Sequence, residues 1–262
     1  MPEGVLSGLT GLVLTGNSRR LLEACLSSLG FCGDLLVVDC FSQDGTLEIA
    51  ARYKARILSR AWTGIGEQFV YAFQHVHSDW VFILDSDEVC SPALAEEIAG
   101  LLAGRGPAQE TDGYYIPRRS WYFDRFILHG GWQPDRLYRL FRNGRVNMDM
   151  SGVHQTFRPI GAAGRLRGEI VHYPYSSFAN HLEKINGYAE GGAGDLAAKG
   201  RVGGLTRGVA HALWRFLRGY VFRLGFLDGK AGFILACHGS FYAFLKYVRV
   251  LKASWGAPYD HH

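Results

Sequence analysis

Asp85, Asp87 and Glu88 stand together in the stretch FILDSDEVC, directly after the apolar run Trp80–Leu84. Carboxylates this close repel one another and are costly beside a core unless something compensates them. A hard divalent cation would do so: Mg²⁺ or Mn²⁺ takes carboxylate oxygens and keeps positions open for phosphate oxygens. The plainer reading is that these are solvated loop acids, with Asp87 or Glu88 serving the N-terminus of the next helix. A second candidate group lies in Gly130-Gly131-Trp132-Gln133-Pro134-Asp135, where a carboxylate and an indole share a short loop. The plainer reading is that Asp135 merely pairs with Arg136 or Arg139. Arg139 is a candidate phosphate contact, and the plainer reading is a solvated strand face with one core Phe.

The elements that must position these groups follow from the pattern of the first hundred residues. Apolar, β-branched runs at Leu9–Thr15, Leu35–Asp39, Arg56–Ser59 and Trp80–Asp85 alternate with helical periodicity at 18–29, 46–53, 66–77 and 92–103. Asn17 or Ser18 can cap the first helix, and Gly30 stops it. Alternation at this spacing means βαβ units and a parallel sheet, whose ligands bind beyond the carboxyl ends of the strands. Thr15-Gly16-Asn17, Asp39 and Asp85-Ser86-Asp87 stand at three such ends and are expected to line one crevice. After Gly104 the pattern breaks into short strands rich in Arg, Gly and aromatics. From Phe178 it becomes helical again, with two further amphipathic helices at about 205–225 and 230–252.

Composition bounds the class. The chain has 262 residues, 48% hydrophobic and 20% charged, a globular composition. Its five cysteines show no metal or redox spacing, which suggests reduced thiols in a cytoplasmic protein. The N-terminus has no basic-then-apolar secretory pattern. Between Arg201 and Lys252 nine Lys/Arg face one acid, Asp228, a local charge of +8 that leaves the remainder at −4. Basic tails suit nucleic acid or an anionic membrane, and the interleaved aromatics favour the membrane over nucleic acid. The other reading is a helical pair that packs on the sheet or forms a homo-oligomer.

Two enzyme classes compete for FILDSDEV. It fits the hhhhDxDx[TV] pattern of haloacid-dehalogenase-type phosphatases, with Asp85 as nucleophile. That motif normally follows the first strand of its domain, however, whereas this one follows three β-α units. The blocks LTGLVLTGN, LLVVDCFSQDGTLEIA, WTGIGEQ and DWVFILDSDE, in that order, resemble the family 2 inverting glycosyltransferases of GT-A fold. More narrowly, GGWQPDRLYRLFRNG, SGVHQTF and FANHLEKINGYAEGGA resemble the lipopolysaccharide-core branch that includes the WaaE/KdtX-type glucosyltransferases, and FLDGKAGFILACHGSFYAFLKYVRVLK continues the match. The resemblance spans about residues 8–252. A third reading, motivated by Gln155 where the family has an acid, is a catalytically inactive, membrane-associated interaction protein.

The resemblance implies an α/β fold: a mostly parallel central sheet with helices on both faces, plus a C-terminal amphipathic helical extension. Residues 1–200 would be the GT-A domain, with a nucleotide-binding half at about 8–104 and an acceptor half at about 105–200. Residues 201–262 would be the basic aromatic extension. It implies that Thr15, Asn17, Asp39, Asp85, Ser86 and Arg139 meet the nucleotide sugar, that Asp87 and His154 hold Mg²⁺ or Mn²⁺, and that Asp135 is the catalytic base, with Trp132 at the sugar. The implied donor is UDP-glucose and the acceptor a lipopolysaccharide-core or other lipid-linked glycan. The enzyme would then sit on the cytoplasmic face of the inner membrane, held there through residues 205–252.

Overall fold

In the computed structural model, which describes residues 4–104, 111–149 and 156–251, strands and helices alternate from the start. The order is β1 (Leu6–Thr15), α1 (Arg19–Ser28), β2 (Cys32–Asp39), α2 (Thr46–Arg52), β3 (Arg56–Ser59), α3 (Ile65–Phe73), β4 (Trp80–Asp85), β5 (Glu88–Cys90) and α4 (Pro92–Leu102). Seven strands follow: β6 (Gly113–Tyr122), β7 (Arg125–Phe126), β8 (Arg136–Arg142), β9 (Val146–Asp149), β10 (Thr156–Pro159), β11 (Ala163–Arg165) and β12 (Ile170–His172). The chain then becomes helical: α5 (Phe178–Ala198), α6 (Leu205–Leu217) and α7 (Gly229–Arg249). A π-helical turn, Arg218–Phe222, extends α6, and a 3-10 turn, Gly225–Asp228, leads into α7.

Two compact units divide the chain, one of Met1–Arg119 with Asp135–Tyr173 and one of Ser120–Pro134 with Pro174–His262. Within the second unit α5 packs along α7, with Gly192 lying against Tyr242 and Lys246.

In the first unit the sheet order is β3-β2-β1-β4-β8-β6-β12-β5. The first four of these strands are parallel. Strand β8 runs antiparallel to both β4 and β6, since no crossover helix joins β6 to β8. Alternate strand residues face opposite ways. Leu9, Val13, Val37, Phe82 and Leu84 pack with Leu22 and Leu26 of α1, Ile49 of α2, and Leu94 and Ile98 of α4. Leu12, Leu36, Val38, Val81 and Ile83 pack with Phe69 and Ala72 of α3 on the other face. Burial on both faces is why these strands read as unbroken apolar runs. Each fully buried Leu or Phe here contributes roughly 1.5–3 kcal/mol. The chain crosses from β3 on one side of β1 to β4 on the other, so the C-terminal ends of β1 and β4 form a topological switch point.

In the second unit α6 and α5 both lie on α7. Its small core holds Tyr122, Ile127 and Ala231, with Trp132, Tyr175, Ile234 and Leu235 packed around them. His181 of α5 is 5% exposed. Its Nδ1 is 3.0 Å from the Tyr122 hydroxyl and 2.8 Å from His238 Nδ1, and its ring stacks on Tyr175. Burial, then the neighbouring His238 and Lys184, pushes the His181 pKa down to about 4. An unfolded histidine titrates near 6.5. The neutral ring therefore stabilises the fold fully above about pH 6.5, and that contribution is lost as pH falls toward about 4. The melting temperature should drop across this window in the wild-type protein and change less in His181→Asn. Matching pH profiles for the two in differential scanning calorimetry would contradict the assignment.

Candidate active site

The strand ends at the switch point are stitched together by side chains. Thr15 and Asp39 are register partners on β1 and β2. The Thr15 hydroxyl donates to Asp39 Oδ1 at 2.7 Å, and Ser42 donates to the same carboxylate from its hydroxyl (2.5 Å) and its backbone N–H (2.7 Å). Asp39 is fully buried, so it needs these partners. Both residues were expected to meet the nucleotide. In the structure they bond to each other, and Asp39 also holds the loop after β2 through Ser42. Asn17, exposed and in a left-handed conformation with φ 50°, continues the network. Its N–H donates to Ser42 Oγ at 2.7 Å, and its Oδ1 accepts from Gln43 N–H at 2.9 Å. Ser86 at the end of β4 donates to Ser18 at 3.0 Å. The three expected strand ends do meet, through Ser18, Ser42 and Ser86. Phe41, also left-handed at φ 60°, is 57% exposed beside this loop.

The second half of the site is a chain of charges. Because β8 opposes β4 with Leu140 across from Phe82, Arg139 reaches the end of β4. It donates from Nη1 and Nη2 to the two Asp85 oxygens at 3.3 and 2.7 Å, a fork geometry suited to carboxylate. Arg139 is 8% exposed. Glu88 was expected to serve the following helix. It is instead fully buried in β5, and Ser91 caps α4 by accepting Leu94 N–H at 3.2 Å. Glu88 Oε2 accepts the backbone N–H of Asp85 at 3.0 Å, and Oε1 accepts Arg118 Nη1 at 2.9 Å. Arg118 also donates from Nε to Asp135 Oδ2 at 2.8 Å. One set of bonds thus joins Asp135 to the strand end that carries Asp85 and Asp87.

These neighbours set the protonation states. Desolvation works against the Asp85 charge, but the Arg139 guanidinium outweighs it and holds the carboxyl below the usual range. Burial, then the adjacent Asp85 charge, pushes the Glu88 carboxyl up to about 7. Two acids three residues apart are driven in opposite directions because only one of them faces a guanidinium with both oxygens.

Asp87 lies just beyond, with its Oδ1 3.7 Å from His172 Nε2. Strand β12 delivers that histidine by pairing antiparallel with β5, His172 opposite Glu88. His154 and Gln155 lie outside the described residues. Among the described residues no three His, Cys, Asp or Glu are grouped to enclose a metal. One carboxylate and one imidazole do suit a Mg²⁺ or Mn²⁺ that takes its remaining ligands from water and a diphosphate. Trp132 belongs to the second unit, where it packs against the Tyr122, Ile127 and Ala231 cluster between two left-handed glycines and Gln133.

Sequence reasoning missed Arg118, His172 and Ser42, and it put Glu88 at the following helix where the structure buries it. Strand β5 is too short to show an alternation, and nothing local to Arg118 marks its partner thirty residues away. His172 is brought in only by strand pairing. Ser42 alone had a local signal, as a polar residue in the turn after Asp39. Arg118→Met should cost about 3–5 kcal/mol in urea unfolding, because it takes from a buried carboxylate its hydrogen-bonded cation. Glu88→Gln in the same background should restore part of that loss, and a single-variant cost under about 1 kcal/mol would refute the dependence.

Residues 17–163 match the model of the family described as glycosyl transferase family 2. The chain is 29% identical over 257 residues to the lipopolysaccharide core biosynthesis glycosyltransferase LpsC of Rhizobium meliloti, covering 93% of this chain and 92% of that one. It is 24% identical over 271 residues to an uncharacterized glycosyltransferase of Rickettsia conorii, covering 97% and 93%. Among solved structures, S. aureus TarS 1-349 in complex with UDP-GlcNAc aligns with a TM-score of 0.48 and 12% identity, over 95% of this chain and 76% of that one.

Proposed function

The chain belongs to glycosyl transferase family 2 and is a glycosyltransferase, and from that premise we propose that it moves a hexose from a nucleoside diphosphate sugar to a lipopolysaccharide-core or other lipid-linked glycan. UDP-glucose is the proposed donor. The observation that carries the reading is the bonded set Asp135–Arg118–Glu88–Asp85, which ties a carboxylate suited to act as base to the strand end of a nucleotide-binding sheet. The near full-length likeness to LpsC supports the acceptor class. A phosphatase with Asp85 as nucleophile is set aside by the family match, and both Asp85 oxygens are already engaged by Arg139.

In the proposed reaction the acceptor hydroxyl attacks C1 of the donor sugar as the bond from C1 to the diphosphate oxygen breaks. The Asp135 carboxylate takes the hydroxyl proton, the nucleoside diphosphate leaves with the electron pair, and the configuration at C1 inverts. Arg118 positions the Asp135 carboxylate. Asn17, Ser86 and the loop ordered by Asp39 face the nucleotide, and Phe41 offers a ring to the base. Asp87, with His172, would hold Mg²⁺ or Mn²⁺, which when bound offsets charge on the diphosphate. His154 is a further ligand in this reading.

Asp135→Asn should lower transfer roughly 10²–10⁴-fold while UDP-sugar affinity, measured by calorimetry, stays unchanged. Transfer near the wild-type rate would remove Asp135 as base. UDP should raise the melting temperature only with Mn²⁺ or Mg²⁺ present, and Asp87→Asn should abolish that shift. An equal shift in excess chelator would end the metal role of Asp87.

A further inference from the structure

We infer that α6 and the turns after it form a docking face for an anionic lipid surface. The face lies within the second unit, and the inference stands whichever sugar is transferred. Helix α6 touches α7 along a narrow strip of small residues. Gly208 is its one buried residue, where a Cβ would sit 3.1 Å from Val248 and 3.3 Å from Phe244. Ala212 and Phe216 are half-buried beside it, and the ridge away from α7 is open. Leu205, Val209, Leu213 and Leu217, spaced four apart on one ridge, are 63%, 44%, 61% and 45% exposed. Trp214 adjoins them, and its ring lies 5.9 Å from that of Phe222, which is also exposed. Leu224, Phe226 and Leu227 extend the exposed apolar series through the next turn.

This exposure is built into the packing. Gly225 sits 2.7 Å, at its Cβ position, from the carbonyl of Gly219, and its own carbonyl fills the space a Cβ on Gly232 would need. Asp228, 4% exposed, accepts the backbone N–H groups of Leu128 and His129 at 3.2 and 2.8 Å. These contacts fix the backbone of the turn, so its large side chains cannot fold inward. Leu224 is held left-handed at φ 57° in the process. A contiguous apolar surface of this kind marks a docking site.

The charges select the partner. Arg201, Arg207, Arg215, Arg218, Arg223 and Lys230 are all exposed around this face, and the one acid from 201 to 251, Asp228, is buried and bonded. An amphipathic helix with apolar side chains in the headgroup boundary and arginines at its rim fits an anionic leaflet. No helix among the described residues is long and apolar enough to cross a membrane, so the contact is one of lying on the surface. A two-fold contact with a second copy would place the same cationic rim against itself.

The test is flotation of the full-length protein with phosphatidylcholine vesicles, with and without phosphatidylglycerol, at low and high salt. The protein should float with the phosphatidylglycerol vesicles, less so at high salt. Binding should fall about tenfold or more in Leu213→Asp and in the double variant Arg207→Gln with Arg218→Gln. These side chains are exposed, and unchanged circular dichroism would confirm that the variants fold. Blue-shifted tryptophan emission on binding should be diminished in Trp214→Phe. Failure to float at low salt, or equal flotation of the variants, would overturn the inference. So would a concentration-dependent dimer, seen by sedimentation, that Leu213→Asp dissociates, since a second copy would then cover the face.

Discussion

A carboxylate with no exposed surface, Glu88, sits where four strands of the first unit converge. Burying such a group costs several kcal/mol unless it is paired or protonated, and both remedies are present. Arg118 reaches it from β6, Arg139 approaches from β8, and its pKa is raised to about 7. The Asp85 backbone N–H donates to it as well. Meeting the needs of this one side chain therefore brings together β4, β5, β6 and β8. The same arginines then hold Asp85 and Asp135. Removing the buried acid would not simply delete a charge; it would take from Arg118 one of the two carboxylates that orient it.

The parallel half solves a different problem. Its strands are apolar on both faces, so polar function is confined to their ends. There the register puts Thr15 beside Asp39, and burial of Asp39 draws in Ser42. A buried, three-bonded carboxylate is better suited to fixing a loop than to binding a ligand directly. What it fixes is the position of Asn17, Ser42 and Gln43, whose groups lie nearer solvent.

The second unit is organised by close helix contacts. Glycines at 192, 208 and 232 let α5, α6 and the 3-10 turn approach α7 closely. That economy of contact leaves most of α6 uncovered and places its large apolar side chains and arginines on the outside. The buried imidazole of His181 lies at the other extreme, enclosed by the rings of Tyr122, Tyr175 and His238.

The first four strands and helices were legible because apolar alternation and turn residues are local signals, and β3 and β4 fall where the pattern put them. The order of those elements also told transferase from phosphatase, since the position of Asp85 after three β-α units is a property of the linear chain. The carboxylates Asp39, Asp85, Asp87 and Asp135 were likewise identified by type and place. Their partners were not. Arg118 is thirty residues from Glu88 and Arg139 is fifty-four from Asp85; His172 meets Asp87 only because β12 pairs with β5. Burial and charge pairing are sums over residues distant in the chain, so no local window contains them. The sequence by itself determined which acids stand at the strand ends. Tertiary structure decided that Asp39 and Glu88 are enclosed, that Arg139 serves Asp85, and that Arg118 links Asp135 to them, because desolvation is set by what the folded chain places around each group.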